Sequence, residues 1–140
     1  MKIKVAATQM SCNWEIDNNI KKSISLIEKA AEQGANIVLL QELFQTPYFC
    51  IQYDEEIFKL AQPFENNTLI KKMSEVAKKY KVVLPISFFE KDNNAYFNSI
   101  AVIDSDGKVL GKYRKSHIPD GAGYLEKYYF NPGDTGFKIW

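Results

Sequence analysis

Ile37-Val38-Leu39-Leu40-Gln41-Glu42-Leu43 is the stretch on which the fold turns. A short continuous apolar run between Asn36 and Gln41 is the pattern of a strand covered on both faces. Upstream, residues 13–33 carry Ile16, Ile20, Ile24, Ile27 and Ala31 at helical spacing, and Gly34 supplies a stop signal. Before that helix, residues 2–8 alternate Ile3, Val5 and Ala7 against Lys2, Lys4 and Ala6, as a strand does. Strand, helix and strand in succession make a βαβ unit, and therefore a parallel pair.

Downstream the pattern changes. Residues 44–63 are an aromatic-rich connection. The spacing predicts a helix over 68–80, with Leu69, Met73, Val76, Ala77 and Tyr80 inward and lysines outward. Strands follow over 82–89, 95–103 and 109–113, separated by turns at 92–94 and 104–107. A parallel start that gives way to hairpins is a mixed sheet with helices, of α/β class. Residues 112–134 then mix cations, carboxylates, aromatics and prolines with no helical or strand period. So long a segment inside a compact domain is functional or disordered, and its aromatic content argues against disorder. It reads as an ordered active-site loop. Gly136-Phe137-Lys138-Ile139-Trp140 alternates like the start of a further strand, so the domain is expected to continue beyond it.

Composition narrows the function classes. The chain has 140 residues, a formal net charge of +1 and 46% hydrophobic residues, ordinary for a single domain that buries roughly two-thirds of its unfolded surface. Near-neutral charge argues against a nucleic-acid or acidic-membrane partner, which demands a basic footprint. The clustered lysines, Lys71-Lys72 and Lys78-Lys79, read as a solvated helix face. No apolar run approaches the ~18 residues of a membrane span, and Met1-Lys2-Ile3-Lys4-Val5 lacks the core of a signal peptide. Cys12 and Cys50 make no disulfide framework, so a reduced, cytoplasmic setting is expected.

Chemistry has few candidate carriers. Glu42 lies at the carboxyl end of the 37–40 strand, where open α/β sheets bind ligands. It is either a partly buried general base at the border of core and crevice, or a solvated carboxylate at a loop start. Lys115 leaves a strand beside Arg114, so one of the two cations can point inward while its neighbour stays in water. An inward Lys115 would pair with Glu42 and could hold an oxyanion; otherwise the doublet is surface. Glu126, between Leu125 and Tyr128-Tyr129-Phe130, is either a buried acid that needs a partner or an exposed glutamate. One histidine, His117, and scattered cysteines leave no metal-ligand spacing. No G-x-S-x-G elbow and no phosphate-cradling glycine loop occur, and no cofactor is expected. Cys12 and Cys50 fall in loops without a strand-to-helix elbow, and both read as structural.

Taken together, Val5-Ala6-Ala7-Thr8-Gln9-Met10, Leu40-Gln41-Glu42-Leu43-Phe44 and Tyr113-Arg114-Lys115-Ser116-His117-Ile118-Pro119 resemble the nitrilase superfamily of carbon–nitrogen hydrolases. The run from Leu125 to Asp134, with Asp120-Gly121 and Gly123-Tyr124, resembles its branch acting on N-carbamoyl amines, N-carbamoylputrescine above all. The resemblance implies a four-layer α-β-β-α sandwich, of which residues 1–140 would be the N-terminal half. It also implies a Cys-Glu-Lys catalytic set, with Glu42 as general base, Lys115 as oxyanion cation and Glu126 orienting the lysine. Tyr48, His117, Asp120 and Tyr124 would shape the pocket for a small ureido or amide substrate. The family's nucleophilic cysteine would lie about one strand beyond Trp140, and neither Cys12 nor Cys50 matches its motif. A homo-oligomer, a dimer or larger, is implied as well. An amidase, nitrilase or β-ureido acid hydrolase, or a non-catalytic binding module, is the alternative.

Overall fold

The structure, a computed structural model, describes residues 2–140. The opening unit is parallel, as the apolar patterning predicts: β1 (Val5–Ala7), α1 (Ile16–Glu32) and β2 (Ile37–Leu39), with Val5 opposite Ile37 and Ala7 opposite Leu39. Helix α1 buries Ile20 and Ile27 and ends where Gly34 takes a left-handed φ of +83°, its N–H donating to the Ala31 carbonyl at 2.8 Å. The connection over 44–63 contains a 3₁₀ helix, Glu55–Leu60. Helix α2 (Thr68–Tyr80) starts at Asn67, whose side-chain oxygen accepts from the Ile70 N–H at 3.1 Å. It buries Leu69, Met73, Val76 and Ala77, and Tyr80 is half-buried.

Strands β3 (Leu84–Asp92), β4 (Ala95–Ile103) and β5 (Val109–Arg114) form an antiparallel meander. A parallel bridge between Ile37 and Val83 joins β2 to the head of β3, so the strands run side by side in chain order. Directly paired residues share a face. Leu84, Ile86 and Phe88 with Ile103 and Ala101 therefore form the face that packs under α1 and α2. Pro85 and Ser87 with Val102, Ile100 and Asn98 form the opposite face.

Three expectations need correction. Residues 112–134 are less irregular than their composition suggests: Lys112 to Arg114 complete β5, and Glu126–Tyr129 form one turn of helix, α3. Apolar packing explains the turn, because Tyr129 and Phe130 enter a second cluster with Leu43, Phe49, Cys50, Ile57 and Phe89. Residues 136–140 are not in a strand; Phe137 stacks on Tyr113 and Trp140 lies over Gly111. Arg114 does not stay in water. Its guanidinium is buried against Glu90, 2.7 Å from Oε1 and 3.0 Å from Oε2, and reaches Asp92 at 2.6 Å and Asp134 at 3.0 Å. The ring of Phe97 lies 3.8 Å beneath it.

Glu90 is fully buried, and Lys112 and Ser99 complete its hydrogen bonds. Burial alone would push its carboxyl up, but the hydrogen bonds from Arg114, Lys112 and Ser99 outweigh that and hold it below the ordinary range. Its stabilising contribution is therefore present above the unfolded carboxylate value of ~4.3 and lost as pH falls through the lower folded value. Arg114→Ala would leave that carboxylate with Lys112 as its one remaining cation. A loss of about 3–5 kcal/mol is expected, read from urea midpoints, and an unchanged midpoint would contradict the pairing.

Candidate active site

Three chain segments meet on the sheet face opposite the helices. Glu42 follows β2, Lys115 follows β5 and Glu126 opens α3. The Lys115 ammonium donates to Glu42 Oε1 at 3.1 Å and to Glu126 at 2.8 Å (Oε2) and 3.1 Å (Oε1). Alternation along β5 explains why: Arg114 takes the buried face, so the next side chain projects to the other. The backbone of Lys115 is held on both sides, its N–H by the Asn98 carbonyl at 2.8 Å and its carbonyl by the Gly133 N–H at 2.9 Å.

Each acid is positioned by its own device. Glu42 precedes Leu43, a non-glycine residue at φ +53° whose N–H donates to Ser87 Oγ at 2.8 Å. That left-handed residue lies four positions beyond the end of β2 and fixes the backbone next to Glu42, whose side chain borders the cavity. Its Oε1 accepts from the Asn98 amide at 2.5 Å as well as from Lys115. Of the two alternatives for Glu42, a partly buried base or a solvated carboxylate, the structure gives a side chain that is 47% exposed and borders the cavity. Glu126 is buried and accepts the Tyr48 hydroxyl at 2.7 Å. Its helical turn is anchored by Tyr129, whose hydroxyl donates to the Gln52 carbonyl at 2.7 Å and whose ring packs on Phe49 at 5.1 Å.

Burial pulls the Lys115 amine down, but the hydrogen bonds and charges of Glu126 and Glu42 win and raise it above its ordinary value. At neutral pH it is a fixed ammonium, suited to stabilising negative charge and unsuited to acting as an amine nucleophile. The cavity beside it is ≈ 280 Å³, lined by Glu42, Ser87, Asn98, Ile100, Tyr113 and Lys115 among others. That is room for a small linear molecule.

Of the four residues expected to contact substrate, Tyr48 is a partner of Glu126. His117, Asp120 and Tyr124 are exposed, and none lines the cavity beside Lys115. Asp120 borders a separate shallow depression with Tyr53, Lys127 and Tyr128.

The sequence matches the carbon–nitrogen hydrolase family over residues 4–140. The chain belongs to that family. It is 52% identical over 138 residues to an N-carbamoylputrescine amidase of Solanum lycopersicum, covering 99% of this chain and 46% of that protein. A citrullinase of Francisella tularensis is 50% identical, with 99% of this chain and 48% of that protein covered. The crystal structure of a carbon–nitrogen hydrolase from Helicobacter pylori G27 superposes with a TM-score of 0.89 at 37% identity, covering 96% of this chain and 46% of that one. The α/β architecture with its mixed sheet is thus the nitrilase-like fold. The chain spans about half the length of the curated relatives it matches. No helix among its described residues is long and apolar enough to cross a membrane.

In this member of the family, the sequence alone did not single out Asn98, Ser87 or Glu90. A cue existed, since Asn98-Ser99 interrupts an otherwise apolar strand, and such a polar pair needs partners on both faces. The cysteines are accounted for too. Cys12 Sγ lies 3.4 Å from the Phe44 carbonyl, and burial pushes its thiol up. Cys50 is fully buried, and burial, with Glu126 adding to it, pushes its thiol up to about 12. A neutral, inaccessible thiol is inert. Native protein treated with iodoacetamide at neutral pH should retain an unmodified Cys50, which reacts only after denaturation. Labelling of Cys50 in the folded state, seen by peptide mass spectrometry, would contradict the burial.

Proposed function

We propose that residues 1–140 are the N-terminal half of a cytoplasmic, homo-oligomeric carbon–nitrogen hydrolase that releases ammonia from an N-carbamoyl amine, most specifically N-carbamoylputrescine. The observation that carries this reading is the Lys115 ammonium held between the Glu42 and Glu126 carboxylates at the wall of the cavity. An acid, an ammonium and a second acid at hydrogen-bond range supply a base, an oxyanion partner and a clamp for that partner. The relative named N-carbamoylputrescine amidase supports the substrate class.

In the proposed reaction a cysteine contributed by the rest of the protein is the nucleophile. Glu42 takes the thiol proton, and the thiolate attacks the ureido carbonyl. Negative charge gathers on the carbonyl oxygen, beside Lys115, while Glu126 and Tyr48 keep the lysine from swinging away. Glu42 returns its proton to the departing nitrogen and ammonia leaves. The same carboxylate then activates water, which cleaves the S-carbamoyl bond and frees the thiol. The carbamate so formed loses carbon dioxide to give the amine, a step toward polyamines when that amine is putrescine.

A second reading rests on the relative named citrullinase at nearly equal identity. A ureido amino acid offers the same carbonyl but adds a carboxylate, which wants a cation at the far end of the pocket. Ammonia release from N-carbamoylputrescine and from citrulline separates the two; preference for citrulline would overturn the diamine assignment. In the full-length protein Lys115→Ala should lower kcat by on the order of 10²-fold or more, the loss typical of a missing oxyanion donor. Turnover near wild type would remove Lys115 from the mechanism. The 140 residues alone should hydrolyse neither substrate, and measurable turnover would place the nucleophile among them.

A further inference from the structure

We infer that Asn98 is a positioning residue for the base, dedicating one oxygen of Glu42 to holding the carboxylate still and leaving the other to receive protons. This rests on Glu42 being the base, as proposed above. Asn98 is 4% exposed, yet its side chain borders the cavity, and its amide nitrogen donates to Glu42 Oε1 at 2.5 Å. Lys115 donates to the same oxygen at 3.1 Å. Glu42 Oε2 has no hydrogen-bond partner among the described residues. A half-exposed glutamate side chain is free to rotate unless something holds it, and two donors converging on one oxygen do so.

The main chain of Asn98 does a second job. Its carbonyl accepts the Lys115 N–H at 2.8 Å, so one residue ties the carboxylate through its side chain and the ammonium's backbone through its peptide. Its position is itself over-determined. Asn98 pairs with Phe89 in the β3–β4 register, and the next residue, Ser99, is bonded to the buried Glu90 on the opposite face. The buried charge cluster thus fixes Ser99 on one side of the sheet and thereby aims Asn98 on the other. An amide suits the place because it brings a donor without a charge. A carboxylate there would repel Glu42, and a lysine would compete with Lys115 for it.

Two variants of the full-length enzyme test this. Asn98→Ala removes the donor, and Asn98→Asp keeps the shape while replacing the donor with an acceptor. Assayed at about pH 8, where two neighbouring carboxylates ionise and repel, the expected order is wild type, then Ala, then Asp. The Ala variant should lose about 10- to 100-fold in kcat with KM within about threefold, the scale of one hydrogen bond to a charged group. If Asn98 merely filled space, the isosteric Asp would be the milder change, and that order would overturn the inference. So would kcat within about twofold of wild type for Asn98→Ala, or an effect confined to KM. Thermal melts of both variants accompany the assay. A melting temperature lost in proportion to activity in both would assign Asn98 to stability and overturn it as well. Glu42→Gln is the separate control: if that variant turns over normally, the base assignment fails, whatever Asn98 does.

Discussion

A β-strand sends successive side chains to opposite faces, and the arrangement of this molecule depends on that alternation at Arg114-Lys115. The guanidinium of Arg114 is sunk under the sheet against Glu90, where leaving either charge without the other would be costly. With Arg114 committed to one face, Lys115 has no freedom to choose and projects from the other. Two cations adjacent in the chain thus do unrelated work. The buried one fixes the strand, and the half-exposed one faces the cavity.

The loop after β5 is closed by the same pair. Asp134 returns to the guanidinium, Thr135 Oγ1 accepts the Arg114 N–H at 3.0 Å, and the Gly133 N–H reaches the Lys115 carbonyl. The approach is so close that a Cβ on Gly133 would stand 2.1 Å from the Arg114 carbonyl oxygen, so any other residue there would have to move backbone. Between these ends, α3 is set by the aromatic cluster of Phe49, Phe89, Tyr129 and Phe130. Glu126 is therefore brought to Lys115 by apolar packing, and its charge is met on arrival. Desolvating an acid is tolerable here because Tyr48 and Lys115 satisfy both of its oxygens.

Glu42 belongs to a different regime. It stays half in water and is held by direction, through the left-handed Leu43 beside it and the donors on Oε1. The constellation thus joins a rigid, buried acid to a more open one across a single ammonium. An open acid suits proton exchange and a buried one suits clamping.

Local pattern was sufficient for much of this. The period of Ile16, Ile20, Ile24 and Ile27 specified α1, and the boundaries of α2 and β4 follow from apolar spacing and turn residues. Even the candidacy of Glu42, Lys115 and Glu126 was legible, since position after a strand and apolar flanks are local properties. Their convergence was not, because contacts 73 and 11 residues apart depend on how strands register and where a loop returns. The burial of Arg114 was misjudged for the same reason: nothing near it in the chain announces Glu90, which lies 24 residues away on another strand. Asn98 and Ser99 stood out only as polar residues in an apolar strand, and their partners came into view with the sheet. Periodicity and composition are read within a few residues, so the sequence determined most of the elements and singled out the candidate groups. Which charges share a cavity, and which side of the sheet each occupies, is a matter of long-range pairing that only the tertiary structure decided.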